Sequence, residues 1–91
     1  MTTIWKYPLD VACSQVLVMP TDATILCVQT QRQRIYLWAL VDPARKGFDR
    51  RHFSVYGTGH DLPRHPGTYL GTVQIEPFVW HVFEDAQEEG E

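Results

Sequence analysis

The segment Arg34-Ile35-Tyr36-Leu37-Trp38-Ala39-Leu40-Val41 decides the fold class of this 91-residue chain. It contains no glycine or proline, and it is rich in β-branched and aromatic side chains, which is typical of a β-strand. Successive side chains of a strand point to opposite faces. One face would carry Ile35, Leu37, Ala39 and Val41, and the other Tyr36, Trp38 and Leu40. Both faces are apolar, so each face needs a cover.

Six further runs of this character surround the segment, each bounded by turn-forming residues. The seven predicted strands cover residues 2–7, 15–19, 24–31, 34–41, 52–56, 68–75 and 78–84. Residues 42–51 are the best candidate for a helical turn, but Pro43 and Gly47 interrupt it. We therefore predict an all-β domain with little helix: short, mostly antiparallel strands in a compact sandwich or partly open barrel, with sequence neighbours paired.

Length and composition indicate a single folded unit. Hydrophobic residues make up 44% of the chain and charged residues 21%, as in ordinary globular domains. We predict one domain over residues 1–84 and a flexible acidic tail over residues 85–91. No apolar stretch reaches membrane-spanning length and the N-terminus lacks signal-peptide features, so no membrane partner is expected. Cys13 and Cys27 are too few for a disulfide scaffold, and we expect two small core residues.

The charges are unevenly distributed along the chain. Residues 32–64 contain seven basic and three acidic residues, whereas six acids and no base follow from residue 76 onward. The net charge of −3 makes nucleic acid an unlikely partner. The basic middle segment, with Arg50 and Arg51, either forms a solvated loop or attracts an anionic ligand.

No motif of catalysis or metal binding is present. The four histidines lack metal-ligand spacing, no nucleophile is linked to a base by spacing, and no cofactor or metal is predicted. The most distinctive local feature is the loop Tyr56-Gly57-Thr58-Gly59-His60. Its two glycines permit close backbone approach, so its amides and side chains are able to surround a phosphate or carboxylate. The alternative is a tight loop whose glycines serve backbone geometry alone.

Two predicted strands are apolar on both faces, so the face turned away from the opposite sheet also has to be covered. Residues 34–41 and 78–84 are apolar on both faces, and the cover is another subunit, a ligand or the chain's own loops. We expect a homo-oligomer, because burying a tryptophan side chain stabilises a protein by roughly 2 to 3 kcal/mol relative to leaving it exposed to water.

Several segments resemble a family of small proteins encoded by bacteriophages and prophages. They include Ile4-Trp5-Lys6-Tyr7-Pro8-Leu9, Leu37-Trp38-Ala39-Leu40-Val41-Asp42, the loop of residues 56–60 and His81-Val82-Phe83-Glu84. The resemblance covers most of the chain and carries no established reaction or binding residue. It implies a context, the cytoplasm of a bacterial host, where small phage proteins frequently act by binding.

The resemblance, with the absence of a catalytic motif, implies a non-catalytic phage accessory protein that counters host defence. It would bind a host defence protein or sequester a small nucleotide; a small enzyme or a virion structural protein is the alternative. The predicted ligand-binding residues are Tyr56, Gly57, Thr58, Gly59, His60, Arg50, Arg51, Trp38 and His81.

Overall fold

Seven β-strands form the regular structure of residues 1–86, the part of the chain that the computed structural model describes. In chain order they are β1 (Thr3–Leu9), β2 (Gln15–Pro20), β3 (Thr24–Gln31), β4 (Arg34–Val41), β5 (Phe48–Gly57), β6 (Thr68–Ile75) and β7 (Phe78–Glu84). They form a three-stranded sheet in the order β1-β4-β3 and a four-stranded sheet in the order β2-β5-β7-β6, with every pairing antiparallel. The predicted all-β fold is confirmed, and it is a sandwich rather than a barrel.

The core lies between the two sheets and is centred on β4. The side chains of Ile35, Leu37, Ala39 and Val41 are almost completely buried. The four-stranded sheet contributes Met19, Phe53 and Val82 to the same hydrophobic cluster. One face of β4 therefore has its predicted cover, namely the opposite sheet.

Tyr7 is the polar exception at this core. Its hydroxyl oxygen is buried and, among the described residues, has no hydrogen-bond partner. Burial raises the pKa of this phenol above its ordinary value, because the charged form is poorly solvated there. The ring packs against the core from β1, one of the two edge strands of the three-stranded sheet.

The strand pairing differs from the predicted meander. Only β3 with β4 and β6 with β7 are sequence neighbours that pair; β2 and β3 lie in different sheets. Pro20 and Ala23, at the turn between β2 and β3, are buried as the chain crosses between the layers. A short turn with proline and aspartate is found both between the two strands of a hairpin and where a chain passes from one sheet to another, so the turn sequence does not distinguish these connections.

Two local predictions are also corrected. β5 begins at Phe48, four residues before the predicted start, because its charged first half forms a ladder with β2. Cys13 is exposed and Cys27 is partly exposed, so neither thiol is a core residue. Within residues 1–86, no helix is long and apolar enough to cross a membrane.

The predicted tail begins with an anchored residue. The amide of Asp85 donates to the His52 carbonyl at 2.8 Å, and its carboxylate accepts from the Ser54 hydroxyl at 2.7 Å. Residues 87–91 of that predicted tail lie outside the described residues.

Candidate functional site

A four-residue turn, Gly57 to His60, opens the long link between β5 and β6. The His60 amide donates to the Gly57 carbonyl at 3.1 Å, and Gly59 has a φ of 92°, typical of the third residue of a type II turn. An added Cβ on Gly57 would lie 2.8 Å from the exposed His60 ring and 3.1 Å from the Trp80 ring, so both rings would have to shift. The Gly57 amide donates to His60 Nδ1 at 3.1 Å, so the imidazole folds back over the turn.

A chain of hydrogen bonds ties this turn to β6 and β7. Thr58 Oγ1 lies 2.8 Å from His81 Nε2, and His81 Nδ1 lies 3.0 Å from Thr72 Oγ1. The Thr72 hydroxyl in turn bonds the Tyr69 hydroxyl. Both ring nitrogens of His81 are therefore engaged, and the imidazole is fixed in orientation.

The turn and the outer face of β6 and β7 enclose an open cleft of about 320 Å³, which we call the loop cleft. Apolar walls come from Leu62, Tyr69 and Phe83, and the turn supplies the opposite wall. Tyr56 is buried, with its ring edge against Phe83 at 5.8 Å between centroids. The lining residues are Gly57, Thr58, Gly59, His60, Leu62, Tyr69, His81 and Phe83.

The hydrogen-bond chain gives the loop cleft a defined polar edge. A neutral imidazole donates through one nitrogen and accepts through the other. If Nδ1 carries the proton, the chain runs from Thr58 to Tyr69 and leaves the Tyr69 hydroxyl free to donate. If Nε2 carries it, the direction reverses and the Thr58 hydroxyl is free. The cleft is therefore able to offer a donor at either end while its lining holds no carboxylate, lysine or arginine.

The structure brings together six of the nine predicted site residues. Tyr56, Gly57, Thr58, Gly59, His60 and His81 form or support the loop cleft. Thr72 and Tyr69 were missed, although a signal existed for Thr72. Counting outward from the turn at Glu76 and Pro77 pairs Ile75 with Phe78, and the same count places Thr72 opposite His81.

Arg51 lies elsewhere and is already paired. Its Nε and Nη2 donate to the two carboxylate oxygens of Glu84 at 2.6 and 2.8 Å, and Nη1 donates to the Ala23 carbonyl. The Glu84 hydrogen bond raises the pKa of the Arg51 guanidinium above its ordinary value. This bidentate pair joins β5 to the end of β7.

The other two predicted residues also lie outside the loop cleft. Arg50 is exposed on β5 and faces Val18 of β2, and Trp38 is on the outer face of the three-stranded sheet. Among residues 1–86, no three histidine, cysteine or acidic side chains are grouped so as to hold a metal ion.

Comparison with known proteins places the chain in a family. Residues 1–91 match the family model described as "Domain of unknown function (DUF7352)". No curated protein and no solved structure matches the sequence. Because the match extends over the whole chain, this protein belongs to the DUF7352 family.

Proposed function

We propose that the protein acts by binding rather than by catalysis, and that the loop cleft holds the planar base of a small nucleotide. The observation that carries this proposal is the chain from Thr58 through His81 and Thr72 to Tyr69, which fixes polar groups beside apolar walls. Ligand sites in proteins typically combine apolar walls with a few oriented polar groups.

The lining suits a base better than a phosphate. Aromatic rings of Tyr69 and Phe83 present apolar surface to a planar ring, and hydroxyls at the two ends of the chain are available to its edge. No charged side chain belongs to the lining, so a phosphate would have to lie at the rim. Arg64 is an exposed cation in the same link between β5 and β6.

The resemblance to phage-encoded proteins gives the proposal its biological setting. A small nucleotide is a common form of intracellular signal, and a protein that sequesters it blunts the response. We propose counter-defence in the host cytoplasm by this route, and capture of a host defence protein is the competing mechanism.

Thermal stability with added ligand tests the proposal. The probes are mononucleotides and cyclic nucleotides, and a ligand at about one hundred times its Kd adds about 2.7 kcal/mol. For a domain of this size that shift is on the order of 10 °C in Tm. Recovery of the unchanged nucleotide by chromatography supports binding, whereas product formation would contradict the non-catalytic assignment.

Matched variants locate the site. Tyr69→Ala removes an aromatic wall of the loop cleft that is 57% exposed, and Phe48→Ala removes an aromatic at the start of β5 that is 69% exposed. Loss of the ligand-induced shift in Tyr69→Ala alone is expected. No shift with any nucleotide, or an equal loss in both variants, would overturn the proposal.

A further inference from the structure

The outer face of the three-stranded sheet carries a second set of recognition residues, far from the loop cleft in the fold. Cross-strand pairing places Lys6 opposite Trp38 and Gln31 opposite Arg34 on this face. We define the basic face by six residues of β1, β4 and the β3–β4 hairpin: Lys6, Gln31, Arg32, Arg34, Tyr36 and Trp38.

Three cations gather on this face with little neutralisation. Among the described residues, neither Lys6 nor Arg32 lies within salt-bridge distance of a carboxylate. Arg34 has a long contact of 3.8 Å with Asp10, and both side chains are more than half exposed. Such an exposed pair contributes little and exchanges readily with another anion.

Aromatic rings lie among these cations. The Lys6 ammonium is 4.5 Å from the centre of the Tyr36 ring and donates to the Gln31 amide oxygen at 3.0 Å. The centroids of Tyr36 and Trp38 are 6.1 Å apart, and both rings are half-buried in the sheet. An open cleft of about 450 Å³ is lined by Lys6, Gln31, Arg32 and Tyr36.

The hairpin that carries Arg32 adds an independent observation. Arg32 and Gln33 both have positive φ, 51° and 68°, in a two-residue turn between paired Gln31 and Arg34. Glycine, asparagine and aspartate are favoured in such turns, so arginine and glutamine there adopt a costly backbone. Backbone strain of this kind is concentrated at functional sites.

We propose that the basic face binds single-stranded nucleic acid. Aromatic side chains on an exposed sheet stack with bases, and neighbouring cations contact phosphates, which is the general chemistry of single-strand binding. The net charge of −3 argues against nucleic acid for the chain as a whole, yet it does not describe this face. A second copy of the chain fits less well, because pairing two such faces would bring like cations together.

Fluorescence anisotropy with a labelled oligothymidylate and an oligouridylate of about 12 nucleotides tests the proposal. Three phosphate contacts predict a slope of about −2 for log K against log salt. Lys6→Gln should weaken binding and make that slope less negative by about 0.7. Tyr36→Leu should weaken binding on the order of tenfold with an unchanged slope.

The chain offers matched controls for each variant. Lys46→Gln removes the same charge from an exposed link between β4 and β5, and Phe78→Leu alters an exposed aromatic at the start of β7 on the other sheet. Neither control should change oligonucleotide affinity by more than about twofold, since neither residue belongs to the basic face. Melting curves establish that all variants are folded.

The free thiols provide a second readout. Cys27 pairs with Trp38 on this face, whereas Cys13 lies in the exposed link before β2. Bound oligonucleotide should slow alkylation of Cys27 and leave Cys13 unchanged. No binding at low salt, equal losses in Lys6→Gln and Lys46→Gln, or a wild-type dimer dissociated by Tyr36→Leu without nucleic acid would each overturn the proposal.

Discussion

Arg51 and Arg50 are adjacent in sequence and opposite in structural role. Arg51 forms a bidentate pair with Glu84 in which both side chains are about four-fifths buried, with 17% and 21% of each exposed. Arg50 points away from the core and is exposed. Period-two alternation along β5 separates two residues that the sequence presents as one basic dipeptide.

Replacing Arg51 therefore has a different consequence from replacing Arg50. Arg51→Ala leaves the Glu84 carboxylate and the Ala23 carbonyl without their donor, and hydrogen bonds to charged groups contribute about 1.5 to 3 kcal/mol. We expect Arg51→Ala to lower the free energy of unfolding by about 2 kcal/mol in urea denaturation. Arg50→Ala is the control and should remain within about 0.5 kcal/mol of wild type; equal losses would refute the distinction.

At the scale of the element, the β3–β4 hairpin is stable despite its turn. Gln31 and Arg34 close a ladder that runs the length of β4, and the inner face of β4 is fully buried. The packing of β4 therefore offsets the positive φ of Arg32 and Gln33. Tertiary packing overrides the local preference of the two turn residues.

Relieving that turn should stabilise the protein. Gln33→Gly removes the Cβ that makes a φ of 68° unfavourable by roughly 1 to 2 kcal/mol. Glycine also makes the unfolded chain more flexible, which lowers the free energy of unfolding by about 0.4 to 1 kcal/mol. The net expectation is a gain on the order of 0.5 kcal/mol and a Tm higher by about 2 to 4 °C in calorimetry. Gln29→Gly, in the middle of β3, is the matched control and should lower the Tm.

Sequence patterns predicted the elements better than their arrangement. The bounds of β3, β4, β6 and β7 were predicted to the residue, because their apolar runs end at glycine, proline or polar turns. The start of β5 was missed, since Asp49, Arg50 and Arg51 are typical of a loop. Pairing order depends on which apolar faces meet, and this information is not local.

In the candidate site too, local sequence predicts individual residues, whereas their arrangement depends on tertiary packing. Thr58 and His81 were identified separately from local features, and only the packing of the turn against β7 brings them to 2.8 Å. Leu62 and Tyr69 were not identified, because their role depends on how the link between β5 and β6 folds over the sheet. Composition and spacing do not specify that path.

At the scale of the whole molecule, the second apolar faces of β4 and β7 have different surroundings. The second face of β7, with His81 and Phe83, is covered in part by the chain's own link at Leu62. The second face of β4 has no such cover among the described residues, and Trp38 there is half exposed. A further apolar patch lies near the free β2 edge of the four-stranded sheet, where Val18 of β2 and Phe48 of the adjacent β5 are 51% and 69% exposed.

That free edge is where we expect the proposed homo-oligomer to form. Exposed edge strands with apolar side chains pair readily with a second copy. Light scattering at micromolar concentration should give a mass that is a multiple of 10.5 kDa, and Val18→Lys should shift the mass toward the monomer. The charge control is Thr2→Lys at the exposed N-terminus, and a monomeric wild type would contradict the expectation.

The glycine that ends the long link sets a limit on the evolution of this fold. An added Cβ on Gly67 would lie 2.1 Å from the Glu84 carbonyl oxygen, and the residue has a φ of 99°. Gly59 shares the positive φ, at 92°, but nothing lies within 4 Å of its missing side chain. Sequence drift is therefore open to asparagine or aspartate at Gly59 and closed at Gly67, so any lineage that keeps the end of β7 against this link must keep glycine there.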